Sequence, residues 1–323
     1  MTSIDVSVII AAYNIEGYIA RAVGSALGQT GVRIQVIVVD DCSTDATVHV
    51  LSTINDPRLE VLCLSQNSGP SAARNAGIRA AKGEWIAVLD GDDAMAPDRI
   101  HTLLHTARQE NADIVVDNLM VLTDDTIENS GVQGREMFSK KKLEKNKILT
   151  LDQFIRHNQS FLGGYTFGYM KPMVRVAFLK KHGLSYDPII RVGEDYMFMV
   201  SALALGARCV VVPRALYNYT VRKGSISHRL IPADINRIAA CDDKIIAQYG
   251  ALFSDAAWAA QRLRTKRIRS ACSYIQLVEG IKKRNIGECR QAICASPLCV
   301  IGLWRPVAVR IMRLIKKGVG HAA

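Results

Sequence analysis

Asp90-Gly91-Asp92-Asp93 follows the apolar run Trp85-Ile86-Ala87-Val88-Leu89 and sets three carboxylates within four residues. A strand that ends so abruptly leaves its acids at the carboxyl edge, where open α/β sheets bind their ligands. Three neighbouring acids repel one another. A divalent cation would neutralise them; a solvated acidic turn is the alternative that these residues alone leave open. Gly193-Glu194-Asp195 opens a helical stretch further on. Two adjacent acids repel one another, which raises at least one pKa. The same arrangement also caps a helix against its dipole. Tyr217 to Ser227, with Arg222, Lys223, Gly224 and Ser225, reads as a basic turn able to hold phosphate oxygens.

These groups need a scaffold, and the hydrophobic pattern supplies one. Val6 to Ala12 is a continuous β-branched run, the mark of a strand buried on both faces, and Tyr13-Asn14 breaks it. The pattern then predicts a helix over 15–27, a strand from Arg33 to Val39 ending at Asp40-Asp41, and a helix over 45–53. A short strand over 59–64, a helix over 72–81 and a strand over 84–89 follow. Pro97 suits a first helical turn, so 98–109 is a helix, and Asp113 to Asn118 is a fifth strand. Strands alternating with amphipathic helices form a doubly wound parallel sheet over about the first 120 residues. All strand carboxyl ends then share one edge, which brings Tyr13, Asp40, Asp41 and Asp90 to Asp93 to one crevice. Residues 124–147 read as a surface loop or flap, 174–182 as a helix, 196–205 as a helix and 208–213 as a strand. Beyond Pro232 the pattern is helical, over 234–249, 254–278 and about 308–317.

The formal charge of +11 is placed unevenly. From Trp258 onward there are 14 Lys+Arg against Glu279 and Glu288, a net +12, which leaves −1 for the first 257 residues. Such a tail suits nucleic acid or an anionic membrane face. The stretch over 308–317 alternates Val309, Met312 and Ile315 with Arg310, Arg313 and Lys316, as in a helix lying in a membrane interface. A terminal helix packed on the domain with a solvated basic face is the other reading. No apolar run reaches transmembrane length, Ala295 to Trp304 being about half of what a bilayer requires. The first residues do not read as a signal peptide, and the eight scattered cysteines read as reduced packing residues. The expected compartment is therefore the cytoplasm, with peripheral attachment to the inner membrane face.

Five segments in order carry a resemblance: Val6-Ser7-Val8-Ile9-Ile10-Ala11-Ala12-Tyr13-Asn14, Val38-Val39-Asp40-Asp41-Cys42-Ser43-Thr44-Asp45, Ser68-Gly69-Pro70-Ser71-Ala72-Ala73-Arg74-Asn75, Leu89-Asp90-Gly91-Asp92-Asp93 and Gly193-Glu194-Asp195. Over about residues 4–230 the chain resembles the family 2 glycosyltransferases, inverting enzymes of the GT-A fold. More narrowly it is similar to bacterial exopolysaccharide glycosyltransferases of the succinoglycan type. The resemblance implies that Tyr13 stacks on the nucleotide base, that Ala11 meets the base through its backbone, and that Asp41, with Asp40, accepts from the uracil imide. It places Arg74 and Asn75 near the ribose and diphosphate. It makes Asp92 a ligand of Mg²⁺ or Mn²⁺, with Asp90 closer to the ribose and Asp93 as a supporting third acid. Asp195 becomes the general base beside Glu194, and Arg222 and Ser225 belong to a basic turn near the diphosphate. His228 is a surface residue or an extra phosphate or metal contact.

The resulting expectation is a GT-A domain over 1–230, nucleotide-binding over 1–120 and acceptor-binding over 121–230, followed by a helical basic region over 231–323. It would move a hexose, glucose for instance, from a UDP-sugar donor to a lipid-linked glycan acceptor at the membrane surface, with homo-oligomerisation open. The Gln-x-x-Arg-Trp segment of processive synthases is absent, which favours addition of one sugar. The rivals are a nucleic-acid-binding protein using the basic tail, a nucleotidyltransferase on a related sheet, and a catalytically dead scaffold. No helix-turn-helix or aromatic-interleaved pattern supports the first, so no nucleic-acid partner is expected. No Gly- and Lys-rich phosphate loop follows the first strand to support the second, and the intact Asp90, Asp92 and Asp195 speak against the third.

Overall fold

A computed structural model describes residues 3–123, 134–159, 165–222, 232–297 and 299–300. Its frame is a mixed sheet in the order β3-β2-β1-β4-β9-β6-β10-β5. The four strands at one side are β1 (Val6–Ala12), β2 (Ile34–Asp40), β3 (Leu59–Cys63) and β4 (Trp85–Asp90), all mutually parallel. β1 and β2 are buried almost throughout because the sheet is covered on both faces. Val36 and Val38 face the main core with Ile19, Ala22, Val23 and Ala26 of helix α1 (Ile19–Leu27). Ile37 and Val39, one residue out of phase, meet Ala73 of helix α3 (Pro70–Ala80) on the opposite face. The alternation of side chains along a strand thus recruits one helix to each side. Helix α2 (Thr47–Ser52) and helix α4 (Arg99–Gln109) complete this half.

Several expectations are corrected here. α1 begins at Ile19 rather than residue 15, because the preceding turn is tied elsewhere. The backbone N–H of Ile15 donates to Thr47 Oγ1, that of Glu16 to Asp45, and that of Ala46 to the Glu16 carboxylate. The stretch 174–182 does not start as helix: Met173–Arg175 is a strand, β9, and helix α7 (Val176–His182) follows it. β9 is antiparallel to both its neighbours, β4 and β6 (Ile114–Thr123), and lies between them. β10 (Cys209–Val221) extends well past Pro213, so Tyr217 to Val221 is strand rather than turn. It runs parallel to β6, with register shifts between Val212 and Tyr217 where proline cannot donate to the ladder. The short β5 (Ala94–Met95) pairs with Tyr217 and Asn218.

The presumed flap is anchored where it is described. It contains β7 (Arg135–Glu136) and helix α5 (Lys140–Glu144), with Phe138 and Leu143 buried, and β8 (Ile148–Leu149) follows it. Residues 124–133 lie outside the described residues. Helix α6 (Leu151–His157) and helix α8 (Glu194–Ala204) precede the helical region. That region comprises α9 (Pro232–Tyr249), α10 (Asp255–Lys283) and α11 (Ile286–Ala295). α10 runs five residues beyond its expected end, and α11 had no distinct periodic signal. The stretch 308–317 lies outside the described residues. No helix among the described residues is long and apolar enough to cross a membrane.

Candidate active site

The acidic turn after β4 is set by a close approach. A Cβ on Gly91 would stand 2.2 Å from Ile15 Cδ1 and 3.0 Å from the Ala11 carbonyl oxygen. Only glycine lets this turn lie over the end of β1, which brings Ala11 and Tyr13 beside Asp90 and Asp92. Tyr13 is 47% exposed at the rim. On the far wall Gly193 has φ +88° and starts α8, so that Glu194 and Asp195 occupy its first turn.

The two walls are joined by buried cations. Arg74, on α3, lies 2.8 Å from Asp90, 3.2 Å from Glu194 and 3.3 Å from Asp195. Lys171 lies 2.7 Å from Asp90 and 2.6 Å from Asp195. Burial pushes the Asp90 carboxyl up, but Lys171 and Arg74 outweigh it and hold the group well below the usual carboxylate range. Burial likewise opposes the charge on Lys171, yet Asp195 and Asp90 raise its pKa well above that of a free lysine. Burial and the Asp195 charge push Glu194 up against the pull of Arg74. Asp92 is pushed up by burial and by Asp90, while Arg222 Nε donates to it at 2.7 Å and pulls the other way.

Asp93 faces inward. Tyr217 Oη donates to its Oδ2 at 2.7 Å and the Thr220 N–H to its Oδ1 at 2.7 Å, which fastens β10 to the acidic turn. Asp41 is buried, with its oxygens accepting the N–H groups of Ser68 and Gly69 at 2.7 and 2.8 Å. Asp40 accepts from the Ser43 N–H, while its Oδ1 is buried with no hydrogen-bond partner. Neither aspartate lines the crevice. Asn75 lies behind the wall: its amide donates to the Tyr186 carbonyl and its oxygen accepts the Tyr186 N–H. It thereby ties the segment ahead of α8 to α3. Ser225 and His228 lie outside the described residues.

The crevice has two lobes. One, of about 370 Å³, includes Ala11, Tyr13, Arg74, Asp92, Arg191 and Arg222 in its lining. The other, of about 290 Å³, includes Asn158, Tyr169, Tyr196, Ile238 and Arg264. Asp90, Lys171, Glu194, Asp195 and Tyr219 line both. Sequence reasoning missed Lys171, Arg191 and Tyr219. Lys171 precedes a proline in an irregular stretch, and only the fold brings its two acidic partners to it.

The charge argument for a metal changes here. The acids Asp90 and Asp92 already have side-chain cations, and no group of three His, Cys, Asp or Glu among the described residues could cage an ion. Asp92, 22% exposed at the first lobe beside Asp90, nevertheless suits a cation held by one or two carboxylates with the remaining oxygens from a diphosphate. The donor set therefore fits a substrate-completed site and not an all-protein one.

The glycosyl transferase family 2 model matches residues 7–176. The succinoglycan biosynthesis protein ExoO of Rhizobium meliloti is 42% identical over 98% of this chain and 88% of its own length. ExoU of the same organism is 37% identical over 82% of this chain and 75% of its own. An Escherichia coli protein, UDP-Glc:alpha-D-GlcNAc-diphosphoundecaprenol beta-1,3-glucosyltransferase WfaP, is 41% identical over 32% of this chain and 42% of its own. Among solved structures, residues 1–349 of Staphylococcus aureus TarS with UDP-GlcNAc superpose with a TM-score of 0.60 at 21% identity, covering 89% of this chain and 90% of that one. The mannosyltransferase PcManGT of Pyrobaculum calidifontis, with GDP-Man and Mn²⁺, gives 0.58 at 15% identity, covering 96% and 81%. Both likenesses concern the fold, which is the GT-A arrangement.

Proposed function

This chain belongs to glycosyl transferase family 2 and is a glycosyltransferase, and on that premise we propose that it transfers a hexose, glucose for instance, from a UDP-sugar to a lipid-linked glycan during exopolysaccharide assembly. The observation that carries this reading is the pair of lobes meeting at Asp90, Lys171, Glu194 and Asp195. A transferase needs two substrates on either side of one base, and these lobes provide that. The donor fits the lobe with the exposed Tyr13 for its base and Arg222 and Arg191 for its diphosphate. Asp40 and Asp41 stand behind that lobe at the neighbouring strand end, where Asp41 shapes its wall by accepting the Ser68 and Gly69 N–H groups. The acceptor fits the lobe lined by Tyr169 and Tyr196.

Asp195 takes the proton from the acceptor hydroxyl as that oxygen attacks the anomeric carbon. The carbon–oxygen bond to the diphosphate breaks, UDP departs with that electron pair, and the configuration inverts because attack comes from the opposite side. Lys171 and Arg74 fix the Asp195 carboxylate where the two lobes meet. Mg²⁺ or Mn²⁺, held by Asp92 with Asp90, would supply neutralisation of the charge growing on the diphosphate. The named donor and lipid carrier of WfaP, the UDP-GlcNAc of TarS and the Mn²⁺ of PcManGT support this reading. The acceptor's lipid would also give the basic helical region a membrane surface to meet. The test is a screen of UDP-sugars for thermal stabilisation with and without Mn²⁺. One or more should raise Tm in a metal-dependent way that Asp92→Ala abolishes; a flat response to all of them overturns the donor assignment.

A further inference from the structure

A separate cleft of about 640 Å³ lies between α9, α10 and the residues that follow α11. It shares no lining residue with either lobe of the crevice. Ile246, Trp258 and Pro297 supply apolar lining, while Arg262, Lys266 and Arg269 project from one face of α10. Their spacing, i, i+4 and i+7, puts them in a row.

The cations of α10 divide according to what they face. Arg264 is buried against Asp242 at 2.9 Å, and Arg267 donates to Gln159 Oε1 at 3.1 Å. Arg262, Lys266 and Arg269 are exposed and make no ion pair among the described residues, and no acidic residue lines the cleft. The sequence beyond cannot neutralise them: from Cys289 to Ala323 it has six Lys+Arg and no Asp or Glu. Three unpartnered like charges above an apolar lining are complementary to an anion that carries a greasy stem.

We propose that this cleft seats the phosphate head group of an anionic membrane lipid, with Arg262, Lys266 and Arg269 on the phosphate and Trp258 and Ile246 against the start of the chain. The contact orients the helical region on the membrane. It deepens the reading of a lipid-linked acceptor, but the binding is measurable without donor or acceptor, so either idea can fail alone.

The test is co-sedimentation of the full chain with phosphatidylcholine vesicles, with or without phosphatidylglycerol. Wild type should bind the anionic vesicles selectively. Each neutralised cleft charge should weaken partitioning roughly fivefold, and Arg262→Gln/Lys266→Gln/Arg269→Gln on the order of a hundredfold. The charge-matched control Lys141→Gln/Lys180→Gln/Lys181→Gln, at exposed positions elsewhere, should lose far less. In a Trp304→Phe background, phosphatidylglycerol brominated near the head group should quench Trp258, whereas the fully buried Trp85 stays out of the quencher's reach and gives a constant background. Equal losses in the cleft variant and the control overturn the proposal in favour of net charge. Binding that survives the cleft variant but not Arg310→Gln/Arg313→Gln/Lys316→Gln overturns it in favour of the last residues. Inorganic phosphate that shifts Trp258 emission while the cleft variant leaves vesicle binding unchanged overturns it in favour of a soluble anion.

Discussion

Asp117→Asn separates burial from distance as the source of an ion pair's worth. Arg99 Nη2 lies 2.8 Å from Asp117 Oδ1 with both side chains at 0% exposure. Arg58 Nη2 lies at the same 2.8 Å from Asp56, with exposures of 44% and 21%. Arg99 has further duties: it donates to the Lys171 carbonyl at 2.9 Å and lies 5.0 Å from the centre of the Tyr217 ring. Asp117→Asn keeps the shape of the site and strands a guanidinium charge in the core. Removing one partner of a buried pair costs about 3–5 kcal/mol, and an amide that still accepts one hydrogen bond belongs near the lower end. Asp56→Asn, at a solvent-exposed pair, should shift the unfolding midpoint far less. Against a total stability of about 5–15 kcal/mol, the two are readily told apart by urea unfolding of the purified chain. Arg99→Met/Asp117→Leu, which removes both charges, should be more stable than Asp117→Asn. It should nevertheless lose turnover, because the Lys171 carbonyl has lost its donor. A cost below about 1 kcal/mol for Asp117→Asn, or a double variant no better than the single, would refute the argument.

Asp195→Asn should lower sugar transfer by about 10²–10⁴ while leaving donor affinity near wild type; near-normal turnover would remove Asp195 as the base. Hydrogen bonds from Arg33 hold the Asp5 pKa at about 2. A carboxyl depressed in this way stabilises the fold above its unfolded pKa of about 3.9 and loses that contribution as pH falls toward 2. Arg33→Gln should therefore show a lower urea midpoint than wild type at pH 5 and a smaller gap at pH 3; an unchanged gap would count against the linkage. Burial pushes the Cys209 thiol up to about 12, and burial with the Asp242 charge does the same for Cys241. Peptide mapping after brief alkylation at pH 8 should find the exposed Cys294 modified and these two intact until the chain is unfolded.

The parallel strands were legible because burial on both faces demands unbroken β-branched runs, as in Val6 to Ala12. Their carboxyl ends then located Tyr13 and Asp90 at one edge without any side-chain contact being known. β9 was not legible, since three residues are too few to show a period and Val176 to His182 continues at helical spacing. Tyr217 to Val221 looked like part of a turn because the basic residues after it dominate the composition, whereas its pairing is set by β6. Residue type and spacing alone do not tell Asp90, Asp92 and Asp93 apart. Burial and partners make them a bridge to Lys171 and Arg74, a half-buried carboxylate held by Arg222, and a clasp for Tyr217. Arg99 carries no mark in the sequence: an arginine at the start of an amphipathic helix shows no sign of burial, and only the fold reveals Asp117 opposite it. Asp40 and Asp41 were placed at the right strand end, but whether each oxygen faces the crevice or a neighbouring N–H depends on the Ser68-Gly69 turn.

β9 has a consequence for how the chain is made. The gap between β4 and β6 is filled only when Met173 to Arg175 has been synthesised, and the outer edge of β6 only when β10 follows. During translation the first 120 residues thus carry two strands whose edges have nothing to pair with, and open edges of this kind invite association with other chains. Residues 1–120 expressed alone should be recovered as aggregate, whereas a chain ending just after Val221 has every strand of the sheet. Division of the chain after β10 leaves the sheet whole, and division before it does not.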